Sequence, residues 1–325
     1  MTSSTRALRI GTRASALAMT QTGTVADALR ARTGRPVELV QIRTEGDRST
    51  ASLASLGGTG VFAAALRSAV LDGRCDLAVH SLKDLPTARQ EGLTVAAVPP
   101  RADPRDALCA REDWDLVTLP HGARIGTGSP RRAAQLLAAR PDLTVLDIRG
   151  NVGTRLARVA PGDLDGVVLA RAGLERLGLL EHVSATLEPD VMLPAPGQGA
   201  LAVECRTQDL GTGPLAAVMA VLEDTPSRLA VTAERAVLRE LEAGCAAPVG
   251  AWGRVAGADG TGRALTLRAV VVEPGGARRF ERSLTANLPD GDPAAAVAAA
   301  DDLGSAVARA LLDDGAAALA GLAGR

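Results

Sequence analysis

Short β-type runs alternate with helical segments along the first hundred residues of the chain. The predicted strands are residues 7–11, 37–42, 76–81 and 94–98, and the predicted helices are residues 14–32 and 61–71. Consecutive strands that are separated by a helix usually pair in parallel, because a parallel connection needs a long crossover. The alternation therefore predicts an α/β fold in which helices cover a mostly parallel sheet.

A weak internal repeat indicates that this α/β unit occurs twice. The run Arg9-Ile-Gly-Thr has a counterpart in Arg124-Ile-Gly-Thr, and each run passes through a Gly-Thr turn into a predicted helix. The strand at 76–81 has a similar counterpart at 165–170. Two such lobes are expected to bind ligands at the carboxyl ends of their strands and at helix N-termini. Two Pro- and Gly-rich stretches are predicted to be hinge crossings between the lobes, at residues 98–104 and 193–199.

The pattern changes after about residue 220. A helix at 226–242, three β-type runs and an Ala-rich helix at 293–312 are typical of a smaller α+β domain. The predicted division of the 325 residues is 1–99 with 200–218 for lobe 1, 100–199 for lobe 2, and 219–325 for the α+β domain.

The composition argues against several classes of protein. The formal net charge is -1, and the chain has two Phe, two Trp and no Tyr, whereas a nucleic-acid surface needs a basic stripe and usually stacking aromatics. No apolar run approaches the ~20 residues of a membrane span, and the first residues lack an apolar signal core. The sequence therefore predicts a cytoplasmic protein that binds neither nucleic acid nor membrane. The four cysteines form no C-x-x-C pair, so neither a zinc site nor a disulfide framework is predicted: Cys75, Cys109, Cys205 and Cys245.

Arginines are concentrated in residues 121–180, where nine Arg stand against five acidic residues. Arg131 and Arg132 fall in the first turn of a predicted helix, where the helix dipole disfavours a cation unless an anion also binds there. Because guanidinium groups bind carboxylates and phosphates in a bidentate manner, the grouping predicts an extended anionic substrate. The alternative for any one Arg is a solvated surface side chain, and Arg140 and Arg158 are interpreted in that way.

Two glycine-containing loops do not support a nucleotide site. Residues 57–60 lack the Lys-Ser/Thr of a Walker loop, and residues 126–128 lack the third glycine of a dinucleotide fingerprint. The polar stretch at 43–60 suits either a mobile lid over a cleft or a plain surface loop.

Three further side chains are candidates for chemistry. Lys83 is the only lysine of the chain, and Asp84 beside it follows a predicted strand, where it is either a cleft carboxylate or an ordinary turn residue. Cys245 lies on a loop between a helix and a strand, where a thiol is able to act as a nucleophile. The other three cysteines lie in or beside β-type runs and are predicted to be buried.

Together these motifs resemble the porphobilinogen deaminase family, also called hydroxymethylbilane synthase. The resemblance runs nearly end to end through seven segments in order, at residues 9–15, 80–86, 126–135, 149–156, 194–200, 232–235 and 244–245. It implies two lobes like those of periplasmic binding proteins, joined by two hinge crossings, plus a smaller α+β domain with a cofactor-bearing cysteine.

The resemblance also implies an activity. The family joins four porphobilinogen molecules head to tail, with loss of ammonia, into linear hydroxymethylbilane in tetrapyrrole (porphyrin and haem) biosynthesis. By this resemblance Cys245 holds a dipyrromethane cofactor through a thioether, Asp84 is the catalytic carboxylate, no metal is needed and the protein is a monomer. The cofactor would be bound by Lys83, Ser129, Arg131, Arg132 and Arg155. The substrate would be bound by Arg13, Ser15, Arg149 and Arg176.

Some positions depart from the family pattern. Ser55, Thr59 and Ala64 stand in the lid region where relatives often have lysines, which puts the charge of that region in doubt. Two alternatives stay open, a binding protein that kept the lobes and lost catalysis, and a different transferase that uses a Cys245 thiolate. A protein that only binds its ligand has no need of both Asp84 and a cysteine on a free loop. A transferase that uses a thiolate would be expected to pair Cys245 with a base.

Overall fold

The structure, a computed structural model, describes residues 6–42, 60–211, 214–243, 247–257 and 263–319. Two compact units are present. One unit comprises Met1–Ala102 with Ala200–Arg228, and the other comprises Asp103–Gly199 with Leu229–Arg325. The finer division of the chain into three domains stays a prediction.

The described residues contain thirteen strands and eight α-helices. In chain order, the strands are β1 (Leu8–Thr12), β2 (Val37–Gln41), β3 (Leu77–Ser81), β4 (Leu93–Ala97), β5 (Asp106–Ala110), β6 (Arg124–Gly126), β7 (Thr144–Leu146), β8 (Gly166–Ala170), β9 (Ala185–Leu187), β10 (Leu201–Arg206), β11 (Val249–Ala256), β12 (Arg263–Val272) and β13 (Arg279–Leu288). The helices are α1 (Ala16–Thr33), α2 (Gly60–Leu71), α3 (Pro130–Ala139), α4 (Val152–Leu156), α5 (Arg171–Arg176), α6 (Pro214–Ala220), α7 (Thr225–Glu240) and α8 (Pro293–Asp313).

The first unit is built on a five-stranded sheet with the order β2-β1-β3-β10-β4. Strand β1 is parallel to both β2 and β3, whereas β10 is antiparallel to both β3 and β4. Leu8 and Ile10 of β1 are buried in one cluster with Val25 and Leu29 of α1. Helix α1 begins after Ser15, whose Oγ accepts a hydrogen bond from the Ala18 amide at 3.4 Å, and such a cap satisfies one of the unpaired N–H groups of the first turn.

The second unit contains a sheet of the same plan, with the order β7-β6-β8-β5-β9. Strand β6 is parallel to β7 and β8, and β5 is antiparallel to β8 and β9. The Arg124 run therefore takes the place in its sheet that the Arg9 run takes in the first, and β8 corresponds to β3. The repeat seen in the sequence is confirmed.

A third, antiparallel sheet with the order β11-β12-β13 lies in the second unit with α8 and with α7 from Leu229 onward. Leu265, Leu267, Ala269 and Val271 alternate along β12 and are buried in the same cluster as apolar residues of both helices. A Cβ atom on Gly304 of α8 would lie 2.2 Å from a backbone oxygen of α7, so only glycine permits this close approach.

The α/β fold class with a smaller α+β part is confirmed. The predicted helices at 14–32, 61–71, 226–242 and 293–312 are α1, α2, α7 and α8, with ends shifted by at most two residues. Residues 43–59 of the predicted lid at 43–60 lie outside the described residues. In the described part of the chain, no helix is both long enough and apolar enough to span a membrane.

Candidate active site

In the first unit, two predicted site residues lie at the carboxyl ends of two neighbouring parallel strands. Arg13 directly follows β1, and Asp84 ends the short 3-10 turn Leu82–Asp84 that follows β3. Because carboxyl ends of parallel strands meet at one edge of a sheet, both side chains line one small cleft, together with Gln21, His80 and Ser81. Asp84 is half-buried there, so its carboxylate is accessible to a ligand.

Two side chains of this cleft, Ser81 and His80, contact partners elsewhere in the same unit. Ser81 Oγ donates to Gln21 Oε1 at 3.1 Å, and His80 Nε2 lies 3.3 Å from Glu204 Oε2. Arg67 binds the same Glu204 carboxylate through Nε and Nη2, the latter at 2.9 Å. Burial would raise the pKa of Glu204, but the nearby His80 and the hydrogen-bonded Arg67 guanidinium outweigh it and lower the pKa below its usual value. Sequence analysis missed Glu204, although a lone Glu in the apolar run of β10 was a signal.

The other predicted residues of this unit lie at the same edge. Lys83 is half-buried in the turn beside Asp84. Ser15 lies two residues after Arg13, where its hydroxyl caps the N-terminus of α1. Ala64 is exposed on α2, whereas Ser55 and Thr59 lie outside the described residues.

In the second unit, Arg131 and Arg132 are buried against a carboxylate that sequence analysis missed. Asp106 is 0% exposed and opens β5 opposite the end of β8. Arg131 Nη1 lies 2.8 Å from Asp106 Oδ2, and Arg132 Nη2 lies 2.8 Å from Asp106 Oδ1. Burial would raise the pKa of Asp106, but the two guanidinium charges outweigh it and lower the pKa to about 2.

Asp106 corrects the interpretation of the two arginines. The sequence analysis attributed the two cations in the first turn of α3 to a bound anionic ligand. The structure shows that the Asp106 carboxylate of the protein itself is an anion beside them. Ser129 caps the same helix, its Oγ accepting from the Arg132 amide at 3.5 Å. Arg131 nevertheless keeps a buried Nε–H that has no hydrogen-bond partner among the described residues, so this guanidinium still has a donor to offer.

Three more predicted arginines lie in segments that follow strands of this sheet in the chain. Arg149, after β7, is exposed, and its Nη2 is 3.1 Å from Asp147 Oδ2. Arg155 of α4 donates through Nε to the Gly150 carbonyl at 2.8 Å. Arg176 ends α5, and its Nη2 donates to the Gly199 carbonyl at 2.7 Å, while burial lowers the pKa of this arginine.

The interpretation of Arg140 as a solvated surface residue is wrong. Its Nε and Nη2 each lie 2.7 Å from an oxygen of Asp142, and its Nη1 donates to the Leu116 carbonyl at 2.6 Å. The side chain therefore ties the end of α3 to a neighbouring loop. Arg158 is paired with Asp163 and remains partly exposed, as expected.

The cysteines differ in what the structure describes. Cys75, Cys109 and Cys205 are buried free thiols, which confirms the prediction. Burial raises the pKa of Cys109 to about 12 and that of Cys205 to about 11, so neither thiol is poised as a nucleophile. Cys245 lies outside the described residues.

Two family models match the chain. Residues 8–212 match the model described as "Porphobilinogen deaminase, dipyromethane cofactor binding domain", and residues 228–313 match "Porphobilinogen deaminase, C-terminal domain". The chain belongs to the porphobilinogen deaminase family.

Curated relatives agree with the family models. The porphobilinogen deaminase of Cutibacterium acnes is 55% identical over an alignment that covers 97% of each chain. That of Micrococcus luteus is 54% identical and covers 97% of this chain and 94% of the relative. Among solved structures, a periplasmic substrate-binding protein of an ABC transporter from Coxiella burnetii is 16% identical, with a TM-score of 0.43, covering 68% of this chain and 93% of that one.

Proposed function

We propose that this chain is a hydroxymethylbilane synthase, a transferase that joins four porphobilinogen molecules into linear hydroxymethylbilane for tetrapyrrole biosynthesis. Each addition forms a carbon–carbon bond, breaks the carbon–nitrogen bond of an aminomethyl group, and releases ammonia and a pyrrole proton. The observation that carries the proposal is the cleft in which Asp84 and Arg13 meet, in a chain that both family models cover.

Asp84 is the proposed catalytic carboxylate. Its position in the turn after β3 fixes a negative charge in a cleft that is partly screened from water. Such a carboxylate accepts a hydrogen bond from the ammonium group of bound porphobilinogen and stabilises the cation that remains when ammonia leaves. It also accepts the pyrrole proton that is lost after the new bond has formed.

The other side chains bind carboxylates. Porphobilinogen bears an acetate and a propionate, and guanidinium groups bind such anions in bidentate geometry. We assign substrate binding to Arg13, Ser15, Arg149 and Arg176. Arg149 supports this assignment best, because its guanidinium is exposed and its ion-pair partner Asp147 is exposed as well, so a ligand carboxylate is able to reach it.

The residues present also fit a dipyrromethane. Arg131 is 4% exposed and has a donor without a partner in the described part of the chain, which suits a buried carboxylate of a ligand. We propose that Cys245 holds the group covalently, with Lys83, Ser129, Arg131, Arg132 and Arg155 as the residues that bind it. When bound, the dipyrromethane supplies the free pyrrole carbon to which the first porphobilinogen is joined.

Incubation of the purified protein with porphobilinogen tests the activity. We expect one ammonia to be released for each porphobilinogen consumed, and hydroxymethylbilane to accumulate as the product. The measurements are an ammonia assay and chromatography of the product after oxidation to a porphyrin. Binding of porphobilinogen without consumption would instead support the alternative of a binding protein.

Replacement of Arg149 and Arg140 separates ligand binding from structural support. Arg149→Leu is expected to raise the KM for porphobilinogen by about tenfold or more, because a carboxylate loses its bidentate partner. Arg140→Leu is expected to lower Tm by about 2–4 °C and to leave KM unchanged, since its hydrogen bonds all lie within the fold. Steady-state kinetics and thermal unfolding of both variants measure this, and equal KM values would contradict the assignment of Arg149.

We also propose that the protein acts as a monomer in the cytoplasm without binding nucleic acid. The balanced formal charge of -1 supports the last point, since a nucleic-acid partner favours a basic surface. Light scattering on a size-exclusion column measures the oligomeric state, and a mass of two chains would contradict the monomer.

A further inference from the structure

Four polar side chains that contact one another lie buried in the second unit, and nothing in the proposed function uses two of them. Arg131, Arg132 and Asp106 are 4%, 7% and 0% exposed, and Gln198 is 0% exposed. We call these four residues the arginine cluster. All four lie in the same compact unit.

Asp106 fixes both guanidinium groups through separate oxygens. Its Oδ2 lies 2.8 Å from Arg131 Nη1, and its Oδ1 lies 2.9 Å from Arg132 Nε and 2.8 Å from Arg132 Nη2. The two-atom contact with Arg132 sets the plane of that guanidinium as well as its position. Without the carboxylate, two buried positive charges would repel each other in a region of low dielectric.

Gln198 fixes Asp106 in turn. Its Nε2 donates to Asp106 Oδ1 at 2.8 Å and to the Pro104 carbonyl at 2.7 Å, and its Oε1 accepts from Arg132 Nη2 at 3.4 Å. The Gln198 amide is therefore anchored to the backbone just before β5, and it contacts both the Asp106 carboxylate and the Arg132 guanidinium. A side chain with three such contacts allows the carboxylate little freedom to rotate.

The charges of the arginine cluster do not cancel. Two guanidinium groups and one carboxylate leave one positive charge in a site from which water is largely excluded, and burial of an uncompensated charge is costly. Arg131 also retains its Nε–H without a partner among the described residues. Both the excess charge and the open donor favour an anion beside Arg131.

We propose that Asp106 and Gln198 are positioning residues that hold Arg131 and Arg132 in the geometry that binds a carboxylate of the dipyrromethane. This inference rests on the proposed function. Asp106 and Gln198 do not touch the ligand, and their effect passes through the two arginines.

The experiment measures how much adduct the protein carries, which is independent of turnover. Asp106→Asn keeps the size of the side chain and removes its charge. The fraction of purified chains that carry two pyrrole units, read from the intact mass under denaturing conditions, is expected to fall by about tenfold or more, since a carboxylate would lose a correctly placed bidentate partner. Asp142→Asn is the matched control, because it breaks another Arg–Asp ion pair of the same unit. The control is expected to carry the adduct as the wild type does.

Gln198→Met tests the same inference with every charge in place, in case Asp106→Asn does not fold. Protein prepared without adduct is mixed with porphobilinogen, and the mass is followed with time. We expect loading to slow by roughly fivefold. In an Arg132→Leu background we expect a clearly smaller slowing, because the part of the effect that passes through Arg132, which Gln198 contacts, is already lost. If Gln198 had only a structural role, Gln198→Met would slow loading by the same factor in both backgrounds.

The outcomes separate this inference from the proposed function. If the wild type carries no adduct and does not consume porphobilinogen, the proposed function fails and the inference fails with it. If the wild type is loaded and active, then loading of Gln198→Met or of folded Asp106→Asn at the wild-type level overturns the inference alone. Equal slowing by Gln198→Met with and without Arg132 also overturns it.

Discussion

Asp84→Asn is expected to reduce the turnover of porphobilinogen by roughly a hundredfold or more, which corresponds to about 2.7 kcal/mol of transition-state stabilisation. The amide has the size of the carboxylate, so the turn Leu82–Asp84 is retained. Under the proposed mechanism, the variant loses the negative charge that would stabilise the cation left by ammonia, and its amide does not replace the carboxylate as a proton acceptor. Single-turnover measurements of ammonia release report this step directly, without a contribution from product release.

A variant on the same strand provides the control for this experiment. Asp76 directly precedes β3, at the opposite end of the strand from Asp84, and its Oδ1 lies 3.0 Å from Arg9 Nη2. Asp76→Asn should lower Tm because it breaks this ion pair, while turnover stays within about threefold of the wild type, as is usual for a change away from the chemistry. If Asp84→Asn were as active as Asp76→Asn, the carboxylate of Asp84 would have no part in the mechanism.

The parts of the fold that were predicted from sequence are those set by local patterns. Helix α8 was predicted from its Ala-rich sequence, and the structure adds that the Asp292 carboxylate caps it by accepting from the Ala294 and Ala295 amides. The equivalence of β1 and β6 follows from the repeated Arg-Ile-Gly-Thr run. Residues that follow parallel strands share one edge of the sheet, so the strand pattern alone places Arg13 and Asp84 together.

The parts that were missed depend on partners far away in the chain. Asp106 is 26 positions from Arg132 and 92 from Gln198, so no local pattern shows that it neutralises the first turn of α3. Arg140 was misinterpreted for the same reason, since its carbonyl partner Leu116 is 24 positions away. For Asp106, the available signal was a charged residue at a strand end next to a Pro-rich stretch. Sequence periodicity does not distinguish such a residue from one in a turn.

Cys245→Ser is expected to abolish both the covalent adduct and the turnover of porphobilinogen. The wild-type chain should have a mass, under denaturing conditions, that exceeds the bare chain by two pyrrole units, and the extra mass should map to the Cys245 peptide. The described residues on either side support an attachment point here. Ala243 and Pro248 are buried, and Ala247 packs against the core cluster of the third sheet, so both ends of the loop are anchored.

Local chemistry makes Cys245 the best-suited thiol of the chain. The sequence neighbours Gly244, Ala246 and Ala247 have small side chains, and Pro248 restricts its own backbone, so this sequence favours access of an electrophilic carbon to the thiol. A thioether, unlike a disulfide, persists in a reducing compartment.

The remaining cysteines serve as matched controls for this assignment. Cys109→Ser and Cys205→Ser are expected to retain the adduct, because burial raises the pKa of each thiol and keeps it from reacting as a thiolate. Both variants should lose some stability, since a hydroxyl replaces a buried sulfur. An adduct that maps to Cys75, Cys109 or Cys205 would contradict the assignment, as would turnover of porphobilinogen by a homogeneous, unmodified chain. The two contradictory results differ in meaning, because the first moves the attachment point and the second removes the need for a covalent primer.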